Sequence, residues 1–295
     1  MAQTPPGWLT QGRGRTPGLA WQFASDVPLA GLDIAAESGA VFAANESGRL
    51  YRAASHGQPG SLSTGITRLQ RLAWSATGET GVVLAEDSRI SLLSDRLLPL
   101  WQMTLPEPVL DVAIEPRGQY LAAAMTNGRT WILDRNRRRV ASCETVRPLR
   151  YLQFLTTEPT LLGAGEYGLL CALNLDGTSQ WAEKLWSNAG ALSASYDGRQ
   201  IFLAAFSYGL QAYNQTGSSV GSFVVEGNPN LVSVSHNAQR IAVTTLERQL
   251  LLLNGDGSLI WQGELPGDPT LLRCDATGDA VVCGLASGEV LRLTW

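Results

Sequence analysis

Apolar residues in this chain come in runs of four to six, separated by short clusters of Gly, Asn, Asp and Ser. Runs of that length bounded by turn residues predict β-strands and are too short for helices. The stretch Leu252 to Leu285, LLNGDGSLIWQGELPGDPTLLRCDATGDAVVCGL, sets the design: Trp261 stands just past a turn at Asn254, Asp256 and Gly257, and Gly278 opens the next apolar run. Tryptophan recurs at Trp21, Trp101, Trp181 and Trp261, with 101−21, 181−101 and 261−181 each equal to 80. Gly278, Gly198 and Gly118 share that step, and Gly78 lies at half of it, so the unit is 40 residues and tryptophan marks alternate units.

A repeat of about 40 to 45 residues made of strands alone is the sequence sign of a β-propeller, one four-stranded blade per repeat. Residues 16 to 295 number 280, which is seven units of 40, so the fold class expected is an all-β, seven-bladed propeller of antiparallel blades in a single domain. The first blade runs through PLAGLDIAAESGAVFAANESGRLYRAAS, with strands near Leu29 to Ala35, up to Ala44, and after Gly48. Glu158 and Pro159 replace the glycine turn in the fourth blade, and Ala238 takes the glycine position in the sixth. The seventh, TLLRCDATGDAVVCGLASGEVLRLTW, stops after its third strand. GLAWQF, with Trp21 in phase with the other outer-strand tryptophans, can supply the fourth and close the ring, covering edges that would otherwise pair with other chains. Residues 1–15, rich in Pro, Gly, Gln and Arg, read as a flexible tail, and removal of residues 1–14 should do little.

Composition changes this picture little. At 44% apolar residues the chain can bury a large core, and a net charge of −4 provides no global attraction to nucleic acid or anionic lipid. Lys184 is the only lysine among 22 basic residues. The N-terminus lacks the apolar run of a secretory signal and no later stretch is long enough to span a membrane, so a cytoplasmic location without membrane insertion is expected. Cys143, Cys171, Cys274 and Cys283 sit at apolar strand positions without CxxC spacing, as free thiols would in a reducing compartment. Cys274 and Cys283 flank one hairpin out of register, which argues against a disulfide.

From Trp21 to Trp295 the chain resembles bacterial WD-repeat-like propellers, and the turns NLDGTSQW (174 to 181) and NGDGSLIW (254 to 261) resemble the DG-x-x-x-W repeats of quinoprotein-like propellers. The GH and WD dipeptides of strict WD repeats are missing, and with only His56 and His236 the hydrogen-bond set of that family cannot recur around the ring. A quinone site has no counterpart here either. The resemblance therefore implies an interaction scaffold, and the shared tryptophans are expected to pack between blades.

Candidate chemistry is sparse. With two histidines, a His-based triad or a histidine metal cluster has little to draw on; His56 reads as a loop residue and His236 as a turn residue. Asp176 and Asp256 look like calcium-loop fragments, yet the simpler reading is an Asp that bonds its own turn backbone. GAGEYG (163 to 168) lacks the Gly-Lys-Ser/Thr ending of a phosphate loop and suits a strand-to-strand turn. Two surface groups remain. Tyr167, Trp186, Phe206 and Tyr208 fall in loops of blades four and five on one face, where aromatics either form an interaction centre or fold inward to pack the loops. On the opposite face, Arg135, Arg137, Arg138 and Arg139 occupy one connection with Arg117 in a neighbouring turn, a secondary basic patch for an acidic partner or an ordinary solvated charge run. The inner-strand segments DVAIE, ALSAS, LVSVS and LLRCD hold only Asp111, Glu115 and Asp275 as carboxylates. The expectation is a monomeric, non-enzymatic ring that binds a protein partner, with no catalytic residues, cofactor or metal, and with nucleic acid disfavoured. The alternative is a propeller enzyme or ligand-binding protein with its site at the central channel mouth.

Overall fold

The run-and-turn pattern appears directly as strands. The computed structural model describes residues 6–295 apart from His56 and Gln58, and the described residues form seven antiparallel sheets. Blades 1 to 5 are four-stranded meanders, such as Leu149–Phe154, Leu161–Gly165, Leu170–Leu173 and Ser179–Glu183 in blade 4, and blades 6 and 7 each take one further strand from the N-terminal segment. The inner strands Leu29–Ile34, Leu69–Trp74, Val109–Ile114, Leu149–Phe154, Ala191–Ala194, Pro229–Val234 and Pro269–Cys274 line the central channel. The second and third strands are almost continuously buried, because sheets cover them on both sides.

Closure is as expected. Gly18–Ala24 pairs antiparallel with Glu289–Thr294, placing Trp21 opposite Arg292 as the outer strand of blade 7. The outer-strand tryptophans do reach the next blade: the Trp101 indole N–H donates to the Arg135 carbonyl of blade 3 at 2.8 Å. A Cβ on Gly217, which takes φ 80°, would strike the Trp181 ring from blade 5. At the glycine position of blade 6, Ala238 adopts φ 50°, a left-handed conformation that costs an L-residue roughly 1 kcal/mol.

The expected tail is the main correction. Residues 1–5 lie outside the described residues, but Gly7–Thr10 forms a helical turn and Arg13–Gly14 adds a fifth strand to blade 6, opposite Gln262 and Trp261. Leu9 is fully buried against this blade, in one cluster with Trp261. Two apolar side chains, Trp8 and Leu9, inside a polar composition are enough to dock a short segment whose own helix propensity is negligible.

A polar belt joins the blades around the channel. Side chains from each inner strand reach the backbone or side chain of the next, and all seven junctions have such a link. Asp33 Oδ2 accepts from the Trp74 N–H at 2.7 Å, Arg71 pairs with Asp111 at 3.6 Å, and Asp111 Oδ2 accepts from the Leu152 N–H at 2.8 Å. Gln153 bonds both the N–H and the carbonyl of Ala194, Ser193 Oγ accepts from Val234, and Ser233 Oγ accepts from Cys274. Arg273 Nε closes the circle on Asp33 Oδ1 at 3.0 Å. Inner strands of neighbouring blades splay too far apart to share a ladder, so these side chains satisfy N–H groups that would otherwise be orphaned near the axis.

All four cysteines are free, with Cys283 opposite Leu272 and Cys274 opposite Val281. Burial pushes the Cys171 and Cys283 thiols up to about 12, which makes them inert as nucleophiles at neutral pH.

Candidate functional site

In an up-and-down blade the turn between second and third strands and the connection to the next blade share one face. On that face, across blades 4 to 6, stand Val146, Tyr167, Trp186, Tyr208, Val224 and Leu246, each exposing half or more of its surface, from 50% at Tyr167 to 98% at Val224. Equivalent positions elsewhere are mostly polar, small or proline: Thr64, Thr104 and Glu264 match Val224, while Glu46, Glu86 and Ala286 match Leu246. Exposed apolar tips concentrated on one arc are the surface a folded ring does not itself require.

The loops that carry these tips are held in place. In the blade 4–5 connection Leu185 is buried while Lys184 and Trp186 point outward, with the ammonium 4.3 Å over the indole ring. Tyr167 bridges to Asn188, the Ala189 N–H donates to the Glu166 carbonyl at 2.9 Å, and Ser187 Oγ reaches Gln211 at 3.3 Å. The connection is thereby tied to the blades on both sides. Blade 5 replaces the usual turn with a 3-10 turn, Phe206–Tyr208, that thrusts Tyr208 out. Beside Leu246, Glu247 accepts from the Asn228 backbone N–H at 2.9 Å and side chain at 2.7 Å, bonds that hold its carboxyl down to about 2. Of the four aromatics expected here, three are exposed; Phe206 is half-buried, its ring tucked against Gly190. Val146, Val224 and Leu246, being aliphatic, carry no aromatic signal in the sequence; what marks Val224 and Leu246 is their departure from the mostly polar residues at the same position of other 40-residue repeats.

The basic patch forms as a connected surface on the opposite face. Arg117, Arg135, Arg137, Arg138 and Arg139 are all exposed in blade 3, and the Arg135 N–H donates to the Gln119 carbonyl, tying the two turns together. Arg139 leans over the Trp131 ring at 4.8 Å. Arg137 holds φ 68° where the matching turns use Gly177, Gly217 and Gly257. The aspartates of two of those turns behave as simple turn formers: Asp176 accepts from Thr178 and Asp256 from Ser258, bonds that lower both carboxyl pKa values.

The channel holds more charge than the carboxylates of the four segments DVAIE, ALSAS, LVSVS and LLRCD: Asp33 and Arg71 from blades 1 and 2, with Arg273 of LLRCD, join Asp111 around a cavity of about 260 Å³. Glu115 and Asp275 instead accept N–H groups of their own turns, from Gln119 and from Gly278 and Asp279. His236 lies at one mouth with its ring facing Tyr196 at 6.2 Å, and His56 lies outside the described residues. Among the described residues no three His, Cys, Asp or Glu side chains are grouped to hold a metal ion.

Burial raises the Asp111 carboxyl to about 6, against the opposing pull of Arg71 and the Leu152 N–H. Its folded pKa lies above the ordinary 3.8, so the stability it contributes is complete below that value and is lost as pH rises through about 6. Asp111→Asn keeps an oxygen for the Leu152 N–H and cannot ionise. Thermal melts should show the variant gaining on the natural protein as pH rises from about 4 to 7; parallel curves would show that Asp111 does not titrate in this window.

No protein-family model matches the chain, and no curated protein is significantly similar to it. Its fold is shared by the β-propeller domain of Cps50 (Swd1) from Myceliophteria thermophila, with a TM-score of 0.81 over 95% of this chain and 99% of that one at 14% identity. The chain is a seven-bladed β-propeller. Since 1820 chains of solved structure match it, the likeness identifies an architecture and leaves function to the surface. No helix of the described residues is long and apolar enough to cross a membrane.

Proposed function

We propose that the protein is a non-enzymatic platform that holds a protein partner on the blade 4–6 face, as a subunit or adaptor of a bacterial cytoplasmic complex. The observation that carries this reading is the arc of six exposed apolar tips on loops pinned by hydrogen bonds. A partner gains most from surfaces that need no ordering on binding, and aromatic anchors dominate such interfaces. The rival reading, an enzyme or small-ligand site at the channel mouth, is weaker because the polar channel groups are already engaged in joining blades. The four free cysteines suit a reducing cytoplasm.

Trp186→Ala with Tyr208→Ala tests the platform. Capture of the main partner from native lysate, quantified against the unaltered protein, should fall by about 2 kcal/mol or more, roughly 30-fold. The melting temperature should hold, because both rings are mostly exposed. Replacing Arg137, Arg138 and Arg139 by serine should have a smaller, salt-sensitive effect. Undiminished capture by the aromatic variant would move the interface elsewhere, with the arginine turn next in line.

A further inference from the structure

We propose that the blade 4–6 face ends in a receptor for a carboxylate, so that the partner presents an extended acidic and apolar segment, its acidic side chain between Arg147 and Arg150 and its apolar side chains along Trp186 and Tyr208. This deepens the platform reading and rests on it. The warrant is an imbalance of charge on one face. Arg13, Arg49, Arg68, Arg89, Arg129 and Arg248, on the loops and strand ends of that face, each have a carboxylate within 4.0 Å: Glu226, Asp26, Glu86, Asp87, Glu144 and Glu264 respectively. Arg147 and Arg150 have none among the described residues.

Both unpaired arginines line one cavity of about 360 Å³, together with Leu110, Pro148 and Tyr167. That space accommodates an aspartate or glutamate side chain, and Tyr167 makes the cavity continuous with the apolar arc. Glu166 also lines it and forms no ion pair with either arginine, so the charged wall keeps a net positive charge. Lys184, over Trp186, adds a third cation beside the arc. A guanidinium pair in a pocket with apolar walls is matched by a carboxylate, through charge-assisted hydrogen bonds. The aliphatic tips Val146, Val224 and Leu246 favour a peptide over nucleic acid, which would need a continuous basic track, whereas here most arginines of the face are neutralised.

An array of twelve-residue peptides tests this, with fixed apolar positions and with the remaining positions acidic, amide or basic; the strongest peptides are then titrated by fluorescence polarisation. The full-length protein should select acidic peptides. Arg147→Glu with Arg150→Glu should weaken them roughly 10- to 100-fold and shift selection to lysine and arginine peptides, while Arg147→Gln with Arg150→Gln should weaken them without that shift. Melting curves of both variants verify folding, and the glutamine pair serves if the glutamate pair does not fold. No preference for acidic peptides, a preference that survives both arginine variants, or selection of single-stranded oligonucleotides through the same arginines would overturn the proposal. Trp186→Ala with Tyr208→Ala separates the two levels: it should weaken every peptide regardless of charge. If it changes nothing while the arginine variants abolish binding, the carboxylate site stands and the apolar platform fails.

Discussion

Removal of residues 1–25 is expected to give a protein that melts far below the full-length chain and aggregates on heating, and removal of residues 1–15 a smaller but clear loss. The longer deletion takes away Gly18–Ala24 and leaves the strand Glu289–Thr294 as a bare edge of well-buried composition. It also removes buried Trp21, and with Ser25 it removes a partner of two groups: the Asn45 side-chain amide, bonded to Ser25 Oγ at 2.9 Å, and the Tyr51 hydroxyl at 3.2 Å. Asn45 has no solvent exposure and keeps Asp26 Oδ1 at 3.0 Å as an acceptor, so the loss of Ser25 thins this buried network without leaving the amide bare, and the main cost of the deletion is the open edge and the lost Trp21. The shorter deletion keeps closure intact but strips Leu9 from the blade 6 core, a loss of about 2–5 kcal/mol if the site does not collapse. Thermal melts followed by circular dichroism and light scattering distinguish the two. A 1–25 deletion that melts like the full chain would rule out closure by the N-terminal strand; a 1–15 deletion that does so would rule out a stabilising role for the segment over blade 6.

Trp261→Ala should cost about 3–5 kcal/mol and lower the melting temperature by about 10 °C, although Trp186→Ala, the same change on the exposed face, should scarcely move it. Trp261 is completely buried, packed with Leu9 and edge-on to Trp295 at a ring separation of 6.0 Å. Gly12 and Gly263 approach its indole so closely that a Cβ on either would collide with the ring. The indole N–H has no acceptor, so the loss on truncation comes from volume alone. Trp261→Phe retains most of that volume and removes the unpaired donor, and it should cost less than half as much as alanine. Equal penalties for alanine and phenylalanine in chemical denaturation would show that the site depends on the indole itself and not on filled space.

Repeat length, seven blades, the strand-and-turn layout and closure through Trp21 are legible in the residues alone, because each depends on local alternation of apolar runs and turn residues repeated at one interval. The 40-residue register also holds Asp33, Gln153, Ser193, Ser233 and Arg273 at one repeat position, a polar site legible in the sequence. What that position does was decided only by the tertiary structure: Asp33 and Arg273 lie 240 residues apart and meet because the ring closes. The same holds for residues 6–15, whose polar composition gives no local reason for order until blade 6 offers Leu9 a place to be buried. It holds again for the blade 4–6 face. Phe206 and Tyr208 differ by two positions in one loop, yet one ring tucks against Gly190 and the other faces outward, and Arg147 and Arg150 stand out only once every neighbouring arginine has found its carboxylate. Strand formation is written in neighbouring residues; burial, exposure and charge balance belong to pairs that only the closed ring brings together.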